Sequence, residues 1–273
     1  MPRLLLLLLS LICLPAAGAS LVVYASVPPV AEIARQVGGD HVEAHSLLRP
    51  GDNPVTFAPT PREMAALTRG RLYLAVGVPF ERSWLPRIQA MNPRLEVVRL
   101  GPPAQAHDHH HDGLDPHRWN DPLAVIAMAG RIRDALARLD PAHAADYAAG
   151  QRRVAERMQA LDRDIRQRLA DLRQRHFLVY HPAWGHFARR YGLRQLAIQH
   201  EGKESSARWL AQLIEQARRE GIRLVLVQPQ FDRRLAHQVA HAIGARVETL
   251  DPLAPDYAAQ LRRLAELLAE TGR

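Results

Sequence analysis

Apolar and polar positions along this 273-residue chain fall into two alternating kinds of block. Short runs of aliphatic and β-branched residues, such as Leu21–Ala25, Leu72–Val76 and Leu224–Val227, read as buried strands. Between them stand stretches with apolar residues three and four apart, the period of an amphipathic helix. Pro28 and Pro29 open one such helix, which runs through Val37 and is closed by Gly38-Gly39. A strand over His41–Leu48 follows, then a helix with a capping-box-like start at Thr60-Pro61-Arg62-Glu63 that ends near Gly70. A helix over Phe80–Met91 and a strand over Leu95–Leu100 complete this first set. Strand, helix and strand at such spacing predict βαβ units around a parallel sheet.

A helix over Pro122–Leu139 comes next. Val154, Met158, Leu161, Ile165, Leu169 and Leu172 then recur at helical spacing within a run from Pro141 to Arg175. A helix of about 30 residues there would be roughly 45 Å long, enough to lie across two lobes. A second set of βα units follows. Its strands are expected over Phe177–Tyr180, Leu193–Gln199, Leu224–Val227 and Arg246–Leu250, and its helices over Trp184–Tyr191, Ser205–Arg219, Arg233–Ile243 and Tyr257–Thr271. The expected fold is α/β: two lobes, each with a parallel-sheet βα core, joined by one long rigid helix. The divisions are a leader over 1–19, an N-terminal lobe over 20–140, a linking helix over 141–175 and a C-terminal lobe over 176–273. No sequence repeat relates the two lobes.

The leader reading rests on Met1-Pro2-Arg3, the apolar run Leu4–Leu9 and the small-x-small pattern Ala17-Gly18-Ala19 before Ser20. This is the pattern of a secretory signal peptide, and the run is shorter than the roughly 20 residues of a membrane span. An exported, periplasmic chain beginning near Ser20 is expected. Cys13 is the only cysteine, and Ile12 before it argues against lipid attachment. Past the leader no thiolate is left to act as nucleophile or metal ligand. The formal charge is +8, with Lys203 the only lysine. The arginines are spread through helical segments without an aromatic-interleaved stripe, so nucleic acid is not an expected partner; separately, a monomer is expected.

Histidine then changes the picture. His107-Asp108-His109-His110-His111-Asp112 leads into Asp115-Pro116-His117-Arg118-Trp119, a density of imidazoles that reads as metal chemistry. In open parallel sheets, ligands bind beyond the carboxyl ends of the strands. His117 lies in the loop after the strand ending at Leu100, His181 directly follows Phe177–Tyr180, and Asp251 directly follows Thr249-Leu250. Two imidazoles and a carboxylate from both lobes would make a partial tetrahedral zinc site in the cleft. Taken singly, each has a plainer reading as a hydrogen-bonded histidine or a turn aspartate. Trp119 and Trp184 are expected to pack the cleft walls; His186, His200, Glu201 and Glu204 lie near enough in sequence to be candidate partners that orient His181, with surface positions the plainer expectation for most of them. His237 and His241 stand four apart on a helix, but no Glu follows His237 as a zinc peptidase requires.

With these residues in hand, the chain resembles the zinc- and manganese-specific solute-binding proteins of ABC transporters. The carriers are Pro50–Pro61, Asp115–Trp119 with Asp121-Pro122, Tyr180–Gly185, Gln228-Pro229-Gln230-Phe231 and Leu250–Leu253. The resemblance implies metal held between two lobes and delivered to an inner-membrane permease. It implies His117, His181 and Asp251 as ligands and Zn2+ as the ion, with Mn2+ or another divalent metal less favoured by a nitrogen-rich set. One departure stands out: Val55 occupies the position where the family carries a further metal-binding His. A histidine from among His107, His109, His110 and His111, or a water, is expected to fill that place. The vacancy also leaves open a zinc-dependent hydrolase with an open coordination position, or a metal chaperone or receptor of altered selectivity.

Overall fold

The computed structural model describes residues 20–101, 115–199 and 206–272. The expected leader, His107, His109, His110, His111, His200, Glu201 and Glu204 lie outside these residues.

The first set of units comprises β1 (Leu21–Ala25), α1 (Pro28–Gly38), β2 (Val42–Ser46), α2 (Pro61–Leu67), β3 (Leu72–Ala75), α3 (Pro79–Met91) and β4 (Glu96–Arg99). Two long helices follow, α4 (Pro122–Leu139) and α5 (Ala144–Arg168). The second set is β5 (His176–Val179), α6 (Gly185–Arg190), β6 (Arg194–Ala197), α7 (Ala207–Arg219), β7 (Leu224–Val227), α8 (Arg233–Ile243), β8 (Arg246–Thr249) and α9 (Tyr257–Gly272). Every strand pairing is parallel. The sheets run β2-β1-β3-β4 and β6-β5-β7-β8, the same order twice, although no repeat is visible in the sequence.

Local chemistry accounts for the element boundaries. Thr60 accepts the Glu63 N–H while the Glu63 carboxylate accepts the Thr60 N–H, closing the expected capping box at the start of α2. Proline stands at the first turn of α1, α3 and α4, where the missing N–H costs nothing. Gly38-Gly39 ends α1 for two different reasons. A Cβ on Gly38 would meet the Val42 side chain at 2.2 Å, and Gly39 has a φ of +56°, which only glycine adopts freely.

The linking helix is shorter than its apolar stripe suggests. It begins at Ala144 after a 3-10 turn over Pro141–His143 and has 25 residues, roughly 38 Å in length. Leu169 and Leu172 are buried as their spacing predicts, but in turns beyond the helix. There the Arg173 and Gln174 N–H groups both donate to the Gly272 carbonyl at the end of α9. That long-range contact satisfies the backbone and lets the chain leave the helix for β5.

One continuous apolar core joins the lobes. It runs from β1, α1 and β3 through Val154, Met158, Leu161 and Ile165 of α5 to Phe177 and Val179 of β5 and Leu261, Leu264 and Leu268 of α9. Strand alternation divides the second sheet between two faces. Phe177, Val179, Leu224 and Leu226 join this shared core, while Leu178, Val225 and Val227 face a smaller cluster under α7 and α8. Helices α1 and α5 touch so closely that a Cβ on Gly150 would lie 2.1 Å from the Val37 carbonyl oxygen.

Candidate metal centre

The turn carrying His117 is bound to the opposite lobe through three consecutive side chains. Trp119, fully buried, donates from Nε1 to the Pro252 carbonyl at 2.7 Å. Asn120 donates to the Ala183 carbonyl at 2.9 Å. Asp121 accepts the Leu123 N–H as the N-cap of α4 and takes a forked pair of bonds from Arg190 at 2.8–3.1 Å. The first lobe thus presents His117 from a turn held by the second.

His117 is buried. Its Nδ1 lies 2.8 Å from Asp115 Oδ1, and its backbone N–H donates to the same oxygen at 3.0 Å. A carboxylate only accepts, so Nδ1 carries the proton and Nε2 keeps its lone pair. Burial alone would raise the Asp115 carboxyl. The hydrogen bonds from His117 and the favourable electrostatics of the His117 and His186 rings outweigh it and hold the group below the usual carboxylate range. His186 donates from Nε2 to the Asp115 carbonyl at 3.0 Å and accepts from Arg189 at Nδ1. Gly185 leaves room for that carboxylate, since a Cβ there would meet Asp115 Oδ2 at 2.7 Å.

His181 follows β5 as expected. Its backbone N–H donates to Gln228 Oε1 and its carbonyl accepts from Gln228 Nε2, so a buried amide locks the peptide in place. Its Nδ1 donates to Gln199 Oε1 at 2.7 Å, which again leaves Nε2 as the lone pair. Burial, reinforced by the neighbouring His117, pushes the His181 pKa down to about 4. The ring stacks on Phe231 at 5.5 Å. The His117 and His181 rings stand 5.3 Å apart at 72°.

Both rings line one cavity of about 410 Å³ at the carboxyl ends of the strands. Its walls are mostly apolar, among them Pro54, Val78, Pro116, Phe231 and Leu253, with Arg82, Ser83 and Gln230 as polar members. Val55 lines the same cavity and is 46% exposed at its rim. Val55 therefore faces the space beside the two histidines.

Asp251 does not join them. Pro252 and Leu253 line the cavity but Asp251 is not among its lining residues. Its Oδ1 accepts the Leu253 N–H and the Gln230 amide, each at 3.0 Å, in a turn closing its own loop. Among the described residues no three His, Cys, Asp or Glu side chains stand close enough together to hold a metal.

The residues around the two rings take definite roles. The partner orienting His181 is Gln199, while His186 supports Asp115 and through it His117. Gln199 could have been anticipated, because it lies at the end of the strand paired with β5. Trp119 packs edge-on against the His117 ring at 5.3 Å, and both Trp119 and Trp184 are fully buried. His237 and His241 are exposed on α8 and take no part.

A family model described as the periplasmic component A of a zinc-uptake complex matches residues 23–271. The chain belongs to that family. The zinc-uptake component A family comprises solute-binding proteins and not enzymes, which removes the hydrolase reading of the open coordination position. A crystal structure of ZnuA superposes with a TM-score of 0.87 and 33% identity, covering 92% of this chain and 99% of that one. A ZnuA deletion mutant with zinc bound gives 0.86 and 33%, covering 93% and 98%. The zinc-binding lipoprotein AdcA of Streptococcus pneumoniae is 27% identical over 243 residues, 82% of this chain. The chain spans about half the length of the AdcA relatives it matches. Among the described residues no helix is long and apolar enough to cross a membrane.

Proposed function

We propose that this chain is the periplasmic receptor of a zinc importer: it binds zinc between its lobes through His117 and His181 and hands it to an inner-membrane ABC permease. The observation that carries this reading is the pairing of the two imidazoles. Two histidines on one tetrahedral zinc, each bonded at about 2.0–2.1 Å, place their ring centres roughly 5.2 Å apart. The observed separation is 5.3 Å. Each ring spends its Nδ1–H on an acceptor, Asp115 or Gln199, so each offers Nε2. The depressed pKa of His181 keeps that nitrogen unprotonated well below neutral pH.

Imidazole favours zinc over manganese, magnesium or calcium. In this reading Asp251 holds the Gln230 and Leu253 wall in place, and the histidines at 107, 109, 110 and 111 form an accessory arm that collects zinc. The leader over residues 1–19 exports the chain, and the two lobes and the linking helix act as one monomeric receptor.

Zinc titration of the full chain, followed by native mass spectrometry with a panel of divalent metals, tests the proposal. One zinc should bind at submicromolar strength, with His117→Ala and His181→Ala each losing about 100-fold or more, whereas Asp251→Ala loses far less. Retention of full affinity in His181→Ala would overturn the assignment.

A further inference from the structure

The cavity at the two histidines is larger than an ion needs. Its roughly 410 Å³ falls in the range of pockets for small organic molecules. Two waters completing a zinc shell would occupy about 60 Å³. Among the described residues no third metal-ligating side chain joins His117 and His181. As ligands both imidazoles are neutral, and the Asp115 carboxylate lies behind the His117 ring rather than on the metal, so a bare zinc ion held by them alone would keep most of its charge between largely apolar walls.

Arg82 makes this more acute. It lies on the exposed face of α3 and lines the same cavity beside Ser83. Its guanidinium forms no salt bridge or hydrogen bond with a described residue. A guanidinium in the wall has the wrong sign for a bare cation and the right sign for a ligand that brings its own negative charge. Guanidinium also matches a carboxylate with two parallel hydrogen bonds.

We propose that the cargo of this site is zinc carried as the complex of a small polycarboxylate chelator. The inference rests on the reading of His117 and His181 as zinc ligands and names the donors that complete the shell. Two imidazoles take two positions on the metal, the chelator's oxygens take the others, and a carboxylate free of the metal pairs with Arg82. The charges close: zinc on a fully ionised tricarboxylate has one net negative charge, which the guanidinium offsets. Val55 fits this arrangement, since its exposed side chain leaves the rim open and sets no competing donor there.

Native mass spectrometry of the full chain tests this in four arms: no addition, zinc alone, citrate alone, and zinc with excess citrate. The expected result is a ternary mass of chain, zinc and citrate in the fourth arm, with no citrate adduct in the third. Arg82→Ala should lower the ternary species about tenfold, and Arg82→Lys should recover part of it. Zinc bound without citrate in the mixed arm would overturn the chelate and leave the zinc receptor standing. Citrate bound equally well without zinc would overturn it as well, reducing the site to an anion pocket. Zinc in no arm would overturn the chelate and the receptor together. A fifth arm replaces His107, His109, His110 and His111 with Ala. If citrate enters only in that variant, the histidine segment completes the shell and the chelate proposal fails.

Discussion

Asp115 holds His117 twice through a single oxygen, accepting the ring Nδ1–H at 2.8 Å and the backbone N–H at 3.0 Å. The pair fixes the tautomer and the aim of the ring together. In Asp115→Asn the shape survives but the negative charge behind the ring is lost. Zinc affinity should fall by about 10- to 100-fold, read by competition with a chromogenic chelator. Unchanged affinity would mean that Asp115 only braces the turn.

His181 gives the fold a pH dependence of known sign. Its folded pKa of about 4 lies below the ordinary histidine value, because burial and then His117 disfavour the cation. Above about pH 6.5 the ring is neutral in both states and the stability is complete. As the pH falls towards 4, only the unfolded chain gains the proton and stability drains away; below 4 nothing further is lost. Between pH 7.5 and 5 the loss from this residue is roughly 2 kcal/mol. Urea unfolding of the wild type and His181→Gln at both pH values should show that difference, and an NMR titration should place the His181 midpoint near 4. A midpoint near 6.5 would refute the burial argument.

Val55→His adds an imidazole at the rim of the cavity that already contains His117 and His181. Zinc binding should tighten by at least about tenfold, or 1.4 kcal/mol, in calorimetric competition. An unaltered constant would show that the rim stands too far from the ion.

Gly150→Ala places a methyl 2.1 Å from the Val37 carbonyl oxygen, where only backbone can give way. The contact between α1 and α5 must open, at a cost of about 3 kcal/mol. Thermal unfolding should register this as a clear fall in Tm. An unshifted Tm would show that the two helices are not packed this tightly.

Much of this molecule can be read from residue periodicity. The strands and helices follow it because parallel strands are buried on both faces and helices bury one stripe. The exception at α5 is instructive. Leu169 and Leu172 keep the helical spacing and are buried, yet the backbone leaves the helix because Gly272, remote in sequence, accepts the next N–H groups. No local pattern carries that information. That His117 and His181 would meet at one cavity was legible from their places beyond the carboxyl ends of strands in the two sheets. Asp251 obeys the same rule of position, but its carboxylate turns into its own loop, a choice made by Leu253 and Gln230. Arg82 gave no signal, since an exposed arginine on an amphipathic helix looks like any other.

The grip of Trp119, Asn120 and Asp121 on the far lobe has one more consequence. It makes the gap between the two imidazoles a property of the folded chain, settled before any ion arrives. Under the proposed function, a calliper locked at one opening selects by bond length. Zinc, at about 2.0–2.1 Å from nitrogen, matches the setting, whereas calcium, which takes oxygen ligands at about 2.3–2.6 Å, does not.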